Sequence, residues 1–411
     1  MYPFRVTKKV PTTDAAGGSS RLRSLLVLAA LVLLAANLRP ALTSVAPLIG
    51  EIRAGTGVSN GVAGLLTTLP LLAFALLSPV APRLARAIGM RRVLLLSLLA
   101  LAAGILARSS GTLAALFLGT ALLGAAIAVG NVLLPSIVKR EFPERVGLMT
   151  SVYSTALGIS AALAAGVSAP VAQLVGWRAA LALWAIPAFV AAVAWLPGPG
   201  SGRTGSAPDG NHRGVGGLWR SGLAWQVTLF MGLQSLAYYV ALTWLPEILI
   251  DEGLSVARAG WMLGLSQAVA IVTMFLTPML AGRRPSQYAA VVAAVALSAA
   301  GLLGLLVAAT TATALWVILL GLGQGAFFSL ALAFFALRAP DSEHAAALSG
   351  MAQSVGYLLA ASGPALFGVL RDATNAWEVP LVLLLAVMVC LLVSGLGAAR
   401  DAHVGSSARS G

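Results

Sequence analysis

Charged side chains are scarce in this 411-residue chain: 26 Lys and Arg and 13 Asp and Glu make up 9% of it, against 59% hydrophobic residues. A globular domain wetted on all sides carries about 25% charged residues, so a soluble fold is excluded and the bilayer has to act as solvent. The single cysteine, Cys390, rules out an intrachain disulfide. The three histidines, His212, His344 and His403, lie outside the apolar mid-regions, so no metal-ligand spacing arises and no metal is expected. Asp and Glu are missing from mid-depth in every apolar stretch, which leaves no buried acid to relay a proton. The acid nearest to such a place, Glu247, follows Pro246 at the end of one stretch. There is no Gly/Lys phosphate-binding loop and no soluble domain for ATP, which excludes primary active transport. No Ser/His or paired-carboxylate constellation falls in the apolar stretches, so neither an enzyme nor a cofactor is expected.

What is present is apolar length. A membrane span needs about 20 predominantly apolar residues. Twelve stretches qualify, at 25–49, 62–81, 93–107, 113–138, 148–175, 179–196, 223–250, 259–280, 288–309, 315–337, 345–370 and 379–396. The predicted fold class is an all-α membrane protein of twelve transmembrane helices. Residues 198–222, rich in Gly, Ser, Pro and Arg, form the one long connection and divide the chain six plus six. The expected organisation is a disordered N-tail (1–20), an N-terminal six-helix half (21–197), the central linker (198–222), a C-terminal half (223–398) and a disordered C-tail (399–411). Laid over one another at an offset near 200 residues, the halves bring Pro47 near Pro246, Pro143 near Pro340 and Trp177 onto Trp377.

The net charge of +13 does not signal nucleic acid, because its distribution follows membrane topology. Twenty of the 26 basic residues lie on the two tails and on alternate connections, five lie on the connections between (Arg53, Arg108, Arg178, Arg258, Arg371), and the last is Arg39. This bias is the positive-inside pattern and predicts both termini in the cytoplasm, in a bacterial inner membrane.

Arg39 is the one charged residue set well inside an apolar stretch. It lies about 21 Å from residue 25 and about 15 Å from residue 49 at 1.5 Å per residue, near mid-depth. An ionised group there faces a polar cavity or a partner, and a guanidinium presents five donors in a rigid fork suited to an anion. Pro40 removes a donor and disfavours helix at Arg39, so a break beside the charge is expected. Gln234 with Tyr238, and Gln353 with Tyr357, are each four residues apart and share a helix face. The aligned prolines put Tyr238 opposite Arg39 across the halves. Asn37, Asn131 and Gln324 add neutral donors and acceptors, each open to a second reading as an interhelical hydrogen bond. Gly158, Ala162, Gly166, Gly363 and Gly368 read as close-packing positions.

Several stretches carry a resemblance: 37–40 (NLRP), 65–72 (LLTTLPLL), 176–178 (GWR), 232–239 (GLQSLAYY), 243–246 (TWLP) and 349–357 (SGMAQSVGY). With the six-plus-six plan, these resemble the major facilitator superfamily and, within it, the cyanate permease and 2-nitroimidazole transporter family. The resemblance implies the major facilitator fold of two pseudo-symmetric halves, with spans 1, 4, 7 and 10 around a central cavity. It also implies transport of a cyanate-like anion or a nitroimidazole-like heterocycle. The superfamily's loop signature after span 2 is kept at Gly89, Arg91 and Arg92, whereas Pro82 and Arg86 replace its first Gly and its Asp. A gate is therefore expected in which Arg83 or Arg86 pairs across the halves with Asp341 or Glu343; the alternative is two separately solvated loops.

Together these point to a secondary transporter of a small polar or anionic solute working by alternating access. Its solute would contact Arg39, Asn37, Asn131, Gln234, Tyr238, Gln324, Gln353 and Tyr357. The expected partners are a small-molecule substrate and the lipid bilayer, with no nucleic acid, and the chain is expected to act as a monomer. Proton-driven efflux of amphipathic drugs and a membrane-embedded sensor without flux are the competing readings.

Overall fold

The computed structural model describes residues 15–142, 145–196, 215–281, 286–340 and 342–404. Among these, the chain is helical throughout: α1 (Ala15–Asn37), α2 (Pro40–Thr43), α3 (Ile49–Thr56), α4 (Asn60–Leu77), α5 (Ala81–Ile88), α6 (Met90–Arg108), α7 (Leu113–Glu141), α8 (Val146–Ala182), α9 (Ala185–Trp195), α10 (Gly222–Asp251), α11 (Val256–Ala281), α12 (Tyr288–Ala308), α13 (Thr313–Leu337), α14 (Ser342–Thr374) and α15 (Glu378–Ala398). Hydrocarbon offers no partner for a peptide group, so apolar runs this long close their hydrogen bonds internally.

The first span is the composite of α1 to α3. The break falls at Leu38–Pro40, where the proline was expected to interrupt it, and a single 3₁₀ turn (Ala46–Leu48) separates α2 from α3. Eleven helices among the described residues are long and apolar enough to cross a membrane, and one of these stretches, Val152–Trp195, has 44 residues. At 1.5 Å per residue it would be about 66 Å long, twice a hydrocarbon core. Gly176, within α8, divides it: its φ of 79° and ψ of 156° are open to glycine and break the helix there, and the segment after it leads on into α9. The twelve expected spans are therefore all present.

The expected tails and linker differ in extent. Helix α1 begins at Ala15, inside the stretch read as tail. The Val404 amide donates to the Arg338 carbonyl at 2.7 Å, so the chain after α15 is held against α13. Residues Val215–Arg220 form a 3₁₀ turn with Leu218 buried. Low hydrophobicity identified these segments as non-spanning, but their local backbone bonding has no hydropathy signature.

The two halves meet along α4 against α14 and α8 against α11. Close approach needs small residues: a Cβ on Gly64 would sit 2.5 Å from the Pro364 carbonyl oxygen, and one on Gly264 would sit 2.9 Å from the Ala162 carbonyl oxygen. The packing reading of Ala162 agrees with this. Hydrogen bonds cross the seam from Thr68 Oγ1 to the Ala361 carbonyl (2.8 Å) and from Thr243 Oγ1 to Thr67 Oγ1 (2.9 Å).

At the end of the bundle away from the termini, two carboxylates of the second half cap helix N-termini of the first. Asp372 accepts from the Asn60 and Gly61 amides (3.1 and 2.8 Å) and from Asn60 Nδ2 (2.8 Å). These amides open α4, whose next free amide, Val62, is taken by Ser59 Oγ. Glu247 accepts from the Gly50 amide at the start of α3 (3.0 Å) and lies 3.9 Å from Arg53. The unpaired N–H groups and the positive dipole end of each helix thus receive their anion from the opposite half.

Replacing Asp372 with Ala should remove a cap of about 1 kcal/mol, shifting the balance between closed and open forms of this end about five-fold. Spin labels at Ala54 and Ala373 in a Cys390→Ser background should report a larger population of long distances in Asp372→Ala. An unchanged distribution would show that the cap does not hold the halves together.

Candidate functional site

Span 1 carries Arg39 near its middle, in the turn between α1 and α2. Arg39 has φ −113° and ψ −39° and precedes the first residue of α2. In an unbroken helix the Val45 amide would bond to the Ala41 carbonyl, but here it bonds to Leu42 at 3.4 Å. Arg108, the last residue of α6, supplies the missing donor: Nη1 donates to the Ala41 carbonyl at 2.5 Å. Arg108 is 1% exposed, and its Nε and Nη2 have no protein partner. The charge tally places Arg108 on a solvated loop, and the structure corrects this to a buried cap on the break. Hydropathy misplaces it because it ends a helix, where solvated and buried arginines look alike in sequence.

The Arg39 guanidinium is half-buried and has no carboxylate partner among the described residues. Aromatic hydroxyls surround it instead. Nη1 donates to Tyr238 Oη at 3.4 Å, with the guanidinium carbon 5.7 Å from the Tyr238 ring centroid. The Tyr238 hydroxyl in turn donates to Gln267 Oε1 at 3.0 Å. This direction leaves the phenol oxygen free to accept from Arg39. Tyr239 packs edge-on against Tyr238 (5.0 Å between centroids) and Tyr357 against Phe74 (5.6 Å). The phenols of Tyr238, Tyr239 and Tyr357 all lie within electrostatic reach of Arg39. The pairing of Tyr238 with Arg39 is the one that the aligned prolines anticipate.

The other candidates are distributed around this cluster. Asn131 is exposed on α7, on the opposite side of the helix from Leu122, since nine residues amount to an odd number of half turns. Gln324 is buried on α13 and its Nε2 has no protein partner. Its neighbours Gly321 and Gly325 press on α11 at Ser266 and Ala270, the level of Gln267. Gln353 is half-buried and spends its amide on Ser349 Oγ at 2.8 Å. Gln234 is 3% exposed and turns its amide to Ser235 Oγ (2.8 Å), so it does not join the cluster. Asn37 is also buried, donating to the carbonyls of Leu33 (2.7 Å) and Pro187 (3.1 Å) and tying α1 to α9.

Sequence reasoning missed Gln267, Tyr239 and Phe74. Gln267 carried the same signal as Gln324, an amide inside an apolar span, whereas the two aromatics had none. Of the gate residues, Arg83 and Arg86 are exposed on α5, Arg91 is half-buried and Arg92 exposed at the start of α6, and Gly89 joins the two helices with φ 90°. Asp341 and the side chain of Glu343 lie outside the described residues, and so does the pairing expected of them.

Asn37→Ala is expected to cost about 1 kcal/mol, the scale of a hydrogen bond between membrane helices. It should lower the midpoint of thermal unfolding in detergent and leave the KM of a transported solute unchanged. A raised KM with unaltered stability would return Asn37 to the site.

The family model described as Major Facilitator Superfamily matches residues 25–364. The chain is 46% identical over 389 residues to an uncharacterized transporter, YycB, of Bacillus subtilis, covering 94% of this chain and 96% of that one. It is 42% identical to the 2-nitroimidazole transporter of Escherichia coli, over 92% of this chain and 97% of that one. Identity to the cyanate transport protein CynX of Escherichia coli is 31%, over 85% and 91%. Among solved structures, that of a D-xylose-proton symporter superposes with a TM-score of 0.74 at 15% identity, covering 94% of this chain and 99% of that one, which speaks to the fold alone. The chain therefore belongs to the major facilitator superfamily, as a membrane transporter resembling its cyanate and 2-nitroimidazole members.

Proposed function

We propose that this transporter moves a small, acceptor-rich solute, a cyanate-like anion or a nitroimidazole-like heterocycle, by alternating access around Arg39. The observation that carries the proposal is a half-buried guanidinium at mid-span surrounded by phenols and amides, with no carboxylate among the described residues to neutralise it. Such a group lacks an anionic partner, and a nitro or cyanate oxygen or nitrogen is the kind of acceptor a guanidinium fork takes. The unpaired amide of Gln324 adds a donor from the other half. The relatives that transport 2-nitroimidazole and cyanate fit the same acceptor chemistry. On this reading Arg39 holds the acceptor end, Tyr238 and Tyr357 bound the solute, and Asn131, Gln324 and Gln353 set specificity.

The termini are assigned to the cytoplasm of a bacterial inner membrane from the charge bias, so the end capped by Asp372 and Glu247 faces outward. The exposed Asn131 then belongs to an inward-open cavity. The moving bodies are the halves 21–197 and 223–398 within a single chain.

Liposomes containing the purified protein should take up radiolabelled cyanate or 2-nitroimidazole saturably. Loss of a charged hydrogen bond of about 1.5–3 kcal/mol in Arg39→Ala should reduce kcat/KM at least ten-fold. Arg39→Lys, which keeps the charge without the fork, should fall between, and Tyr238→Phe should raise KM a few-fold. Equal flux through wild type and Arg39→Ala, with both inserted alike, would overturn the site. Absence of flux for either solute in wild type would overturn the solute class.

A further inference from the structure

On the outer face of the first half, α5, α6 and α7 leave an apolar groove of about 240 Å³. Val80 and Leu84 form one wall, Leu96 and Ala100 another, and Leu122 and Ala125 the floor. The one polar residue in it, Ser97, is already engaged, its hydroxyl donating to the Ala126 carbonyl at 2.7 Å. From Val93 to Ala100 the groove runs seven residues along α6, about 10 Å into the membrane. It lies on the side of α7 opposite Asn131, so it belongs to the lipid-facing surface and not to the solute site.

The mouth of the groove is basic. Arg83 adjoins Leu84 and Arg92 adjoins Val93, while Arg86 and Arg91 stand on either side of the turn at Gly89. Residues 77–107 contain these four arginines and no Asp or Glu. Helix α5 is amphipathic: Val80, Leu84 and Ile88 form an exposed apolar stripe at four-residue spacing, and Arg83 and Arg86 project from another face. This is the pattern of a helix lying in the headgroup plane. Four guanidiniums with no ion pair among the described residues, at the mouth of an apolar slot, match a molecule with an anionic head and a hydrocarbon tail. A free phosphate would leave the slot unfilled, and an uncharged lipid would leave the arginines without a partner.

We propose that this groove is a binding site for an anionic phospholipid, one acyl chain lying between α5, α6 and α7 and the phosphate held by Arg83, Arg86, Arg91 and Arg92. Basic residues near an anionic lipid surface each strengthen binding several-fold, so losing two should weaken it roughly ten-fold.

The test is native mass spectrometry of the full-length protein in detergent, titrated with phosphatidylglycerol or with phosphatidylcholine of the same acyl chains. Wild type should retain phosphatidylglycerol in preference to phosphatidylcholine. The pair Arg83→Gln and Arg86→Gln should lose about ten-fold of that retention, and the pair Arg83→Lys and Arg86→Lys should keep most of it. Ala125→Phe or Ala100→Phe, which fill the groove without altering charge, should also reduce it. Thermal unfolding midpoints identify any variant whose loss reflects misfolding, and the Lys pair and the second Phe variant then decide. Equal retention of the two lipids by wild type would overturn the site. So would phosphatidylglycerol retention that survives both Phe variants, since attraction to the basic loop alone would then account for it.

Discussion

A backbone carbonyl inside a membrane protein must find a donor, and the first span is organised around one that its own helix cannot satisfy. The chain leaves helix again after α2, where the Val45 amide turns to Leu42 and strands the Ala41 carbonyl, and Arg108 reaches across from the end of α6 to bond it. Leaving that carbonyl bare would cost about 1–3 kcal/mol, while holding a guanidinium in a 1%-exposed position also costs desolvation energy. The arrangement is therefore no stability gain over an unbroken apolar helix. What it secures is geometry: it holds the short α2 between two breaks, and Arg39, in the turn just before α2, projects toward Tyr238 of the other half. Arg338 plays a related part at the opposite end, where its guanidinium donates to the carbonyls of Ala398 and Ala399 at the close of α15.

The seam between the halves is built from the same kind of constraint. Helix N-termini at the end away from the chain termini have amides that would otherwise lack partners, and Asp372 and Glu247 supply them from the opposite half. Exchanging these partners for water is inexpensive at the membrane surface. Deeper in, contacts such as Gly64 against Pro364 are apolar and depend on shape. A seam with exchangeable polar caps at its rim and small residues below it can open without unfolding either half.

Much of this was legible in the sequence because hydrocarbon enforces regularity. Span number followed from apolar length, the break from Pro40, and the Arg39–Tyr238 approach from the offset between halves. Polar residues were harder. Asn37 and Asn131 read alike, yet one is consumed by the carbonyls of Leu33 and Pro187 and the other is exposed. The difference is one of helix rotation, which is fixed by packing against neighbours. A span that is apolar on every face carries no record of it. Gln234 and Gln267 show the same effect: the first turns to its own helix, while the second, on a span in which no site residue was expected, completes the chain from Arg39 through Tyr238. The burial of Arg108 had no signal, because a helix-terminal arginine is ordinarily solvated.

An unneutralised Arg39 also bears on coupling. On the proposed alternating-access cycle, water solvates the guanidinium while the site is open; closure of both ends around an empty site removes that solvation, and no carboxylate among the described residues replaces it. On the proposed reading, an acceptor-rich solute makes up the deficit, so closure is less costly when the site is loaded than when it is empty. The difference acts on the rocking step itself and requires no group to change protonation. Occupancy-dependent closure of this kind links solute movement to conformational exchange using a fixed cation alone, which fits a protein whose spans carry no acid at mid-depth.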